Sequence, residues 1–171
     1  MRYKSEKDYL DKIQKFLEIK GFIVWREVIP DECFNWDKPY RVDLIFYRED
    51  LGYFGVEGKN CNTFRQGGKI AGALEQVKKY RKLHYFKGLE IKQWAISFPH
   101  EDFNDGLKEA AEFVKNFLNY YDVDLLEFEE NKHYSKRILI SKCTPNRTIY
   151  IVPDEVYGSK IKTKNKLEKW F

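Results

Sequence analysis

Three consecutive stretches decide how this chain is read: Arg41-Val42-Asp43-Leu44-Ile45-Phe46-Tyr47, the turn Arg48-Glu49-Asp50-Leu51-Gly52, and Tyr53-Phe54-Gly55-Val56-Glu57-Gly58-Lys59. Two short apolar runs joined by a polar, Gly-containing turn predict a β-hairpin. Three charges interrupt the apolar pattern: Asp43 in the first run, Glu57 and Lys59 in the second. Residues i and i+2 of a strand share a face, so Glu57 and Lys59 project together, and the hairpin partner can bring Asp43 beside them. Two carboxylates and an amine on an otherwise buried sheet are costly to desolvate unless they are paired or hold a metal. The charges are therefore the first pointer to function.

Working outward, the sequence supports a folded core around this hairpin. Its 171 residues, 43% hydrophobic and 17% aromatic, suit one globular domain and exclude wholesale disorder. We expect the domain to occupy residues 1–158, with its core at about 5–128, and a basic tail to follow at 159–171. No run approaches the ~18 apolar residues of a membrane span, and the N-terminus lacks the apolar segment of a signal peptide. Cys33, Cys61 and Cys143 are odd in number and contain no C-x-x-C pair, which argues against a disulfide framework or a structural metal cluster. A reducing, cytoplasmic setting is the expectation. From Glu130 onward the chain carries ten Lys/Arg against four Asp/Glu, so the basic excess sits in the last quarter. That run reads either as a solvated tail or as a phosphate-contacting segment.

Ser5, with Asp8 three residues on, predicts a helix start, and Tyr9, Leu10, Ile13, Phe16 and Leu17 keep helical spacing up to Gly21. A strand is expected over 22–29, then a loop over 31–39 and the hairpin. Residues 60–68 read as a polar loop, and a helix is expected over 69–85. A strand over 91–98 stopped by Pro99, a helix over 105–120, and strands over 123–128, 137–141 and 148–152 complete the pattern. Such an order makes an α/β fold, a mixed central sheet with helices on both faces.

Asp43, Glu57 and Lys59 match the needs of metal-assisted phosphodiester hydrolysis. Mg²⁺ prefers oxygen ligands and retains waters, so two carboxylates and a backbone carbonyl, that of Gly58, suffice to hold it; Mn²⁺ would substitute. A lysine beside them can orient water or stabilise charge developing on phosphate. Gly58 has no side chain, which would let a phosphate approach closely.

On these residues the chain resembles the PD-(D/E)XK nuclease superfamily, whose pattern is an initial helix, a strand with Asp, then Glu-x-Lys on the next strand. Asp43 and Glu57-Gly58-Lys59 occupy those positions, with Val42 where the family name has Pro and Pro39 a little earlier. Gln76-Val77-Lys78-Lys79-Tyr80 is similar to the Gln-x-x-x-Tyr element of the RecB-type branch, which includes the CRISPR adaptation nucleases; the iron–sulfur cysteines of some members are missing. The resemblance covers residues 5–98. It implies a restriction-endonuclease-like core, DNA as the partner, and Gln76 and Tyr80 as DNA-binding residues near the metals. It also implies an acidic residue of the first helix facing them, with Glu6 or Glu18 as alternatives. Arg65, Lys69, Lys78, Lys79 and Lys82 lie where a phosphate backbone could run. Trp25, Trp36, Trp94 and Trp170 read mostly as core residues, although Trp36 in its polar loop could stack on a base. His84, His100 and His133 are too scattered for a zinc site. Besides a metal-dependent deoxyribonuclease, two readings stay open: a DNA-binding module on the same fold, and a junction-resolving nuclease acting as a homodimer.

Overall fold

Ser5 sets the first boundary of the fold. Its hydroxyl accepts from the amide of Asp8 at 3.1 Å, opening helix α1 (Glu6–Ile19), while the Asp8 carboxylate accepts from the amide of Lys4. The predicted box is thus present with its return bond one residue early. Gly21 closes the helix at φ 76°: its amide bonds the carbonyl of Glu18 and that of Phe22 bonds Leu17, the paired bonds that end a helix on a left-handed residue. A computed structural model describes residues 3–33, 36–59, 67–83, 85–99, 108–130, 136–142 and 147–152, without the side chains of 67–69 and 108–113.

Strand β1 (Ile23–Val28) leads through a 3-10 turn (Asp31–Cys33) to the hairpin of β2 (Val42–Arg48) and β3 (Gly52–Gly58). Helix α2 (Gly67–Lys82) follows, then the short strands β4 (Tyr85–Phe86) and β5 (Leu89–Glu90), β6 (Gln93–Pro99) and helix α3 (Lys108–Tyr120). Strands β7 (Asp124–Glu129), β8 (Arg137–Lys142) and β9 (Arg147–Ile151) complete the described chain. The main sheet has seven strands in the order β1-β2-β3-β6-β7-β8-β9. The β3–β6 and β6–β7 pairs are parallel and the others antiparallel.

The period of two along each strand sorts the core into two layers. Leu44, Phe46, Phe54, Val56, Ala95, Leu126 and Phe128 pack with Tyr9, Leu10, Ile13, Phe16 and Leu17 of α1. Their neighbours Ile45, Trp94, Ile96 and Leu125 pack on the other face with Ala73, Leu74, Val77 and Tyr80 of α2 and Val114 and Leu118 of α3. The fold is therefore α/β with a mixed sheet between one helix and two. No helix among the described residues is long and apolar enough to cross a membrane.

Two sequence expectations shift. Helix α2 stops at Lys82 rather than Tyr85, because Lys87 and Gly88 both take positive φ and turn Tyr85–Glu90 into a tight hairpin. Asp31 locks that turn by accepting from the amides of Lys87 and Gly88 at 2.6 and 2.7 Å. Packing also runs beyond residue 128: Ile138, Ile140 and Ile151 of the last two strands are buried against the α1 layer. The expected tail at 159–171 lies outside the described residues.

Candidate functional site

The β2–β3 register pairs Leu44 with Val56, and one step further places Asp43 opposite Glu57. Asp43 shares its sheet face with Ile45, and Glu57 with Lys59, so all three charges lie on the face covered by α2 and α3. The predicted gathering of Asp43, Glu57 and Lys59 is present in the structure. Lys59 Nζ donates to Glu57 Oε1 at 2.6 Å, and the Gly58 amide donates to Asp43 Oδ2 at 2.8 Å. Strand register sets the carboxyls of Asp43 and Glu57 opposite each other on this face. Parallel pairing of β3 with β6 fixes the rear of the site: Gly58 lies opposite Ser97, and the Lys59 amide donates to the Ser97 carbonyl at 2.8 Å.

Electrostatics here are unbalanced. Glu57 is only 1% exposed. Its burial and the charge of Asp43 push it up to about 7, against the pull of Lys59 and Tyr80. Burial also raises Asp43, although the Gly58 amide, Lys59, a hydrogen bond with Glu57, and Arg26 all oppose the rise. Burial disfavours the Lys59 ammonium, yet Glu57, Glu6 and Asp43 together hold its pKa above the ordinary lysine value. Two carboxyls facing one ammonium leave an acid pair that shares a proton when nothing else compensates it.

The helices add three contributions. Tyr80 is buried at 1% exposure, its ring stacked 5.5 Å from Trp94. Its hydroxyl donates to the Arg41 carbonyl at 2.7 Å and lies 3.2 Å from Glu57 Oε2, a second acceptor for the same proton. Burial and the charges of Glu57 and Asp43 raise its pKa above that of a free phenol. The structure thus places Tyr80, expected as a DNA-binding residue, in the core with its hydroxyl bonded to Glu57. Gln76, one helical turn earlier, is half-buried. Glu6, the first residue of α1, acts electrostatically on Lys59. Glu18 lies about 18 Å further along the helix at 1.5 Å per residue and accepts from Gln14.

Gly58 needs a different reason from the one read in the sequence. A Cβ there would stand 2.6 Å from a methyl of Leu10. The space that a phosphate was expected to enter is filled by α1, and the glycine is required by helix packing. Arg65 and the side chain of Lys69 lie outside the described residues, as do the three histidines, Cys61 and Cys143.

One site residue escaped the sequence reading. Arg26 of β1 donates through Nε to the Asp43 carbonyl at 3.0 Å and through Nη1 to Asp11 of α1 at 2.8 Å. Its neighbour Glu27 sits at φ 47°, unusual for a residue inside a strand, in the register position facing Asp43. A charged residue midway along an apolar strand was the available signal, but its target depends on strand register.

Among the described residues no group of three or more His, Cys, Asp or Glu is gathered as a metal site. The two carboxyls nevertheless fit a hard divalent cation, which would supply the positive charge that the acid pair otherwise obtains from a proton. Comparison of the chain with protein-family models, curated proteins and solved structures returned no match.

Proposed function

We propose that this protein is a metal-dependent nuclease that hydrolyses DNA phosphodiester bonds, built on a restriction-endonuclease-like core. One observation carries the reading: Asp43 and Glu57 meet across the hairpin with Lys59 bonded to Glu57, at the carboxyl end of β3. The resemblance to the PD-(D/E)XK superfamily supports it with the same residues in the same order. Asp43, Glu57 and the Gly58 carbonyl would hold Mg²⁺ or Mn²⁺, which when bound supplies an activated water and neutralises charge at the leaving oxygen. Lys59, kept charged by the surrounding carboxylates, orients the nucleophile and stabilises the phosphate in the transition state. Tyr80 and Arg26 hold Glu57 and the Asp43 backbone in place.

The test is cleavage of linear, circular and branched DNA with Mg²⁺, Mn²⁺ or EDTA, comparing wild type with Asp43→Ala, Glu57→Ala and Lys59→Ala. We expect metal-dependent cleavage that falls on the order of a thousandfold in each variant. Cleavage that survives all three substitutions would sink the assignment. Salt-sensitive DNA binding without cleavage would point to a binding module instead, and preference for four-way junctions to a dimeric resolving nuclease.

A further inference from the structure

Trp36 and Tyr40 form an aromatic step beside the acidic pair. Trp36 is 49% exposed and Tyr40 36%, and their rings meet edge-on at 5.8 Å and 66°. In that arrangement neither partner covers both faces of the other. Trp94 and Tyr80, by contrast, are buried in the core, while Tyr85, Tyr120 and Tyr150 are exposed elsewhere.

The step stands on a fixed base. The Trp36 amide donates to the carbonyl of Cys33 at 3.0 Å, and the Cys33 amide to that of Pro30 at 2.9 Å. Cys33 is fully buried and anchors the start of this segment in the core. Asp31 pins the same turn to the β4–β5 hairpin. An exposed tryptophan is thus held on an ordered support, which lowers the entropy lost when a flat ligand stacks on it.

Charge and position select the ligand. Lys79 Nζ lies 5.4 Å from the Tyr40 ring, and Lys38 and Arg41 are exposed in the same segment. Tyr40 adjoins Arg41, whose carbonyl holds Tyr80 against Glu57. Tyr40 lies three positions before Asp43, at most about 10 Å along the chain. Lys79 lies over one face of Tyr40 and Arg41 pairs with Glu27 at 3.5 Å, so an exposed Trp36 face beside cations suits an unpaired base and its phosphates; a base inside a duplex keeps its faces against its neighbours.

We infer that Trp36 and Tyr40 stack unpaired bases of a single DNA strand, with Lys79 on its phosphates, and so guide that strand to Asp43 and Glu57. This rests on the nuclease reading for what the neighbouring acids do, but binding tests it separately. The Asp43→Asn chain, without metal, is titrated with a labelled oligothymidylate, an abasic strand of equal length, and a duplex. Trp36→Ala in that background should weaken oligothymidylate binding between about fivefold and a hundredfold, with Trp36→Phe retaining most of the affinity. Binding of the abasic strand, which has the phosphates but no bases, should not change. Equal loss on both strands, no loss on either, or a preference for duplex would overturn the inference. DNA cleavage that depends on Asp43 but ignores Trp36 would leave the nuclease standing without the step. Trp36-dependent binding without cleavage would do the reverse.

Discussion

Two buried charge clusters lie on opposite faces of the same sheet. Lys142 of β8 bonds Asp124 of β7 at 2.5 Å and Gln93 at 3.0 Å, and stands 5.0 Å from the centre of the Phe54 ring. Gln93 is in turn bonded to the Leu51 carbonyl. Register places Lys142 beside Asp124. One ammonium faces one carboxylate, and the remaining donors and acceptors are largely used within the cluster. On the other face, two carboxyls face one ammonium and both are pushed upward. A balanced buried pair is a structural fastener. An unbalanced one keeps a demand for positive charge, which natural folds retain chiefly where chemistry needs it.

The comparison breaks most sharply through stability. Lys142→Met removes the ammonium that bonds Asp124 and should cost about 3–5 kcal/mol, lowering Tm by roughly 10 °C. Cleavage per folded molecule should stay unchanged, because the site lies on the other face of the sheet. Thermal unfolding read beside DNA cleavage checks both halves. A lost activity with unchanged Tm would reverse the roles assigned to the two clusters.

Titration gives the next largest effect. Glu57 moves from an ordinary 4.5 to about 7 in the folded chain. Below pH 4.5 both folded and unfolded chains hold that proton; between pH 4.5 and about 7 only the folded chain keeps it. Stability of the metal-free protein should therefore fall as pH rises through this window, by on the order of 3 kcal/mol. Glu57→Gln should flatten the profile, and denaturant midpoints across the window decide it. A wild-type profile that rises over the same range would refute the acid pair.

Tyr80→Phe is expected to be the mildest change. It leaves the Arg41 carbonyl short of a donor and removes one support from Glu57, costing about 1–2 kcal/mol. Cleavage should drop about tenfold with its metal requirement intact, as suits a residue that positions Glu57. If single-strand affinity fell while cleavage of bound DNA did not, Tyr80 would be a DNA contact after all.

Much of the site was legible because its logic is local. Glu57 and Lys59 share a face through the two-residue period of a strand, and Ser5 and Gly21 announce the ends of α1 by hydrogen bonds within a few residues. The hairpin could be read from apolar alternation and its turn. Tyr80 shows the limit of such reading. Helical spacing placed it one turn after Gln76, but not on which side of the sheet its hydroxyl would end. Gly58 shows another limit, since a missing side chain can serve a ligand or a neighbouring helix, and only Leu10 decides between them.

The sequence by itself determined the elements, their order, and the presence of two acids and an amine on adjoining strands. These follow from periodicity and capping, which act over at most four or five residues. Tertiary structure alone decided that Asp43 faces Glu57, that Arg26 holds its carbonyl, and that Asp124 pairs with Lys142 rather than seeking a metal. The reason is physical: strand register, burial and the resulting charge balance join residues distant in sequence, and no local preference encodes them.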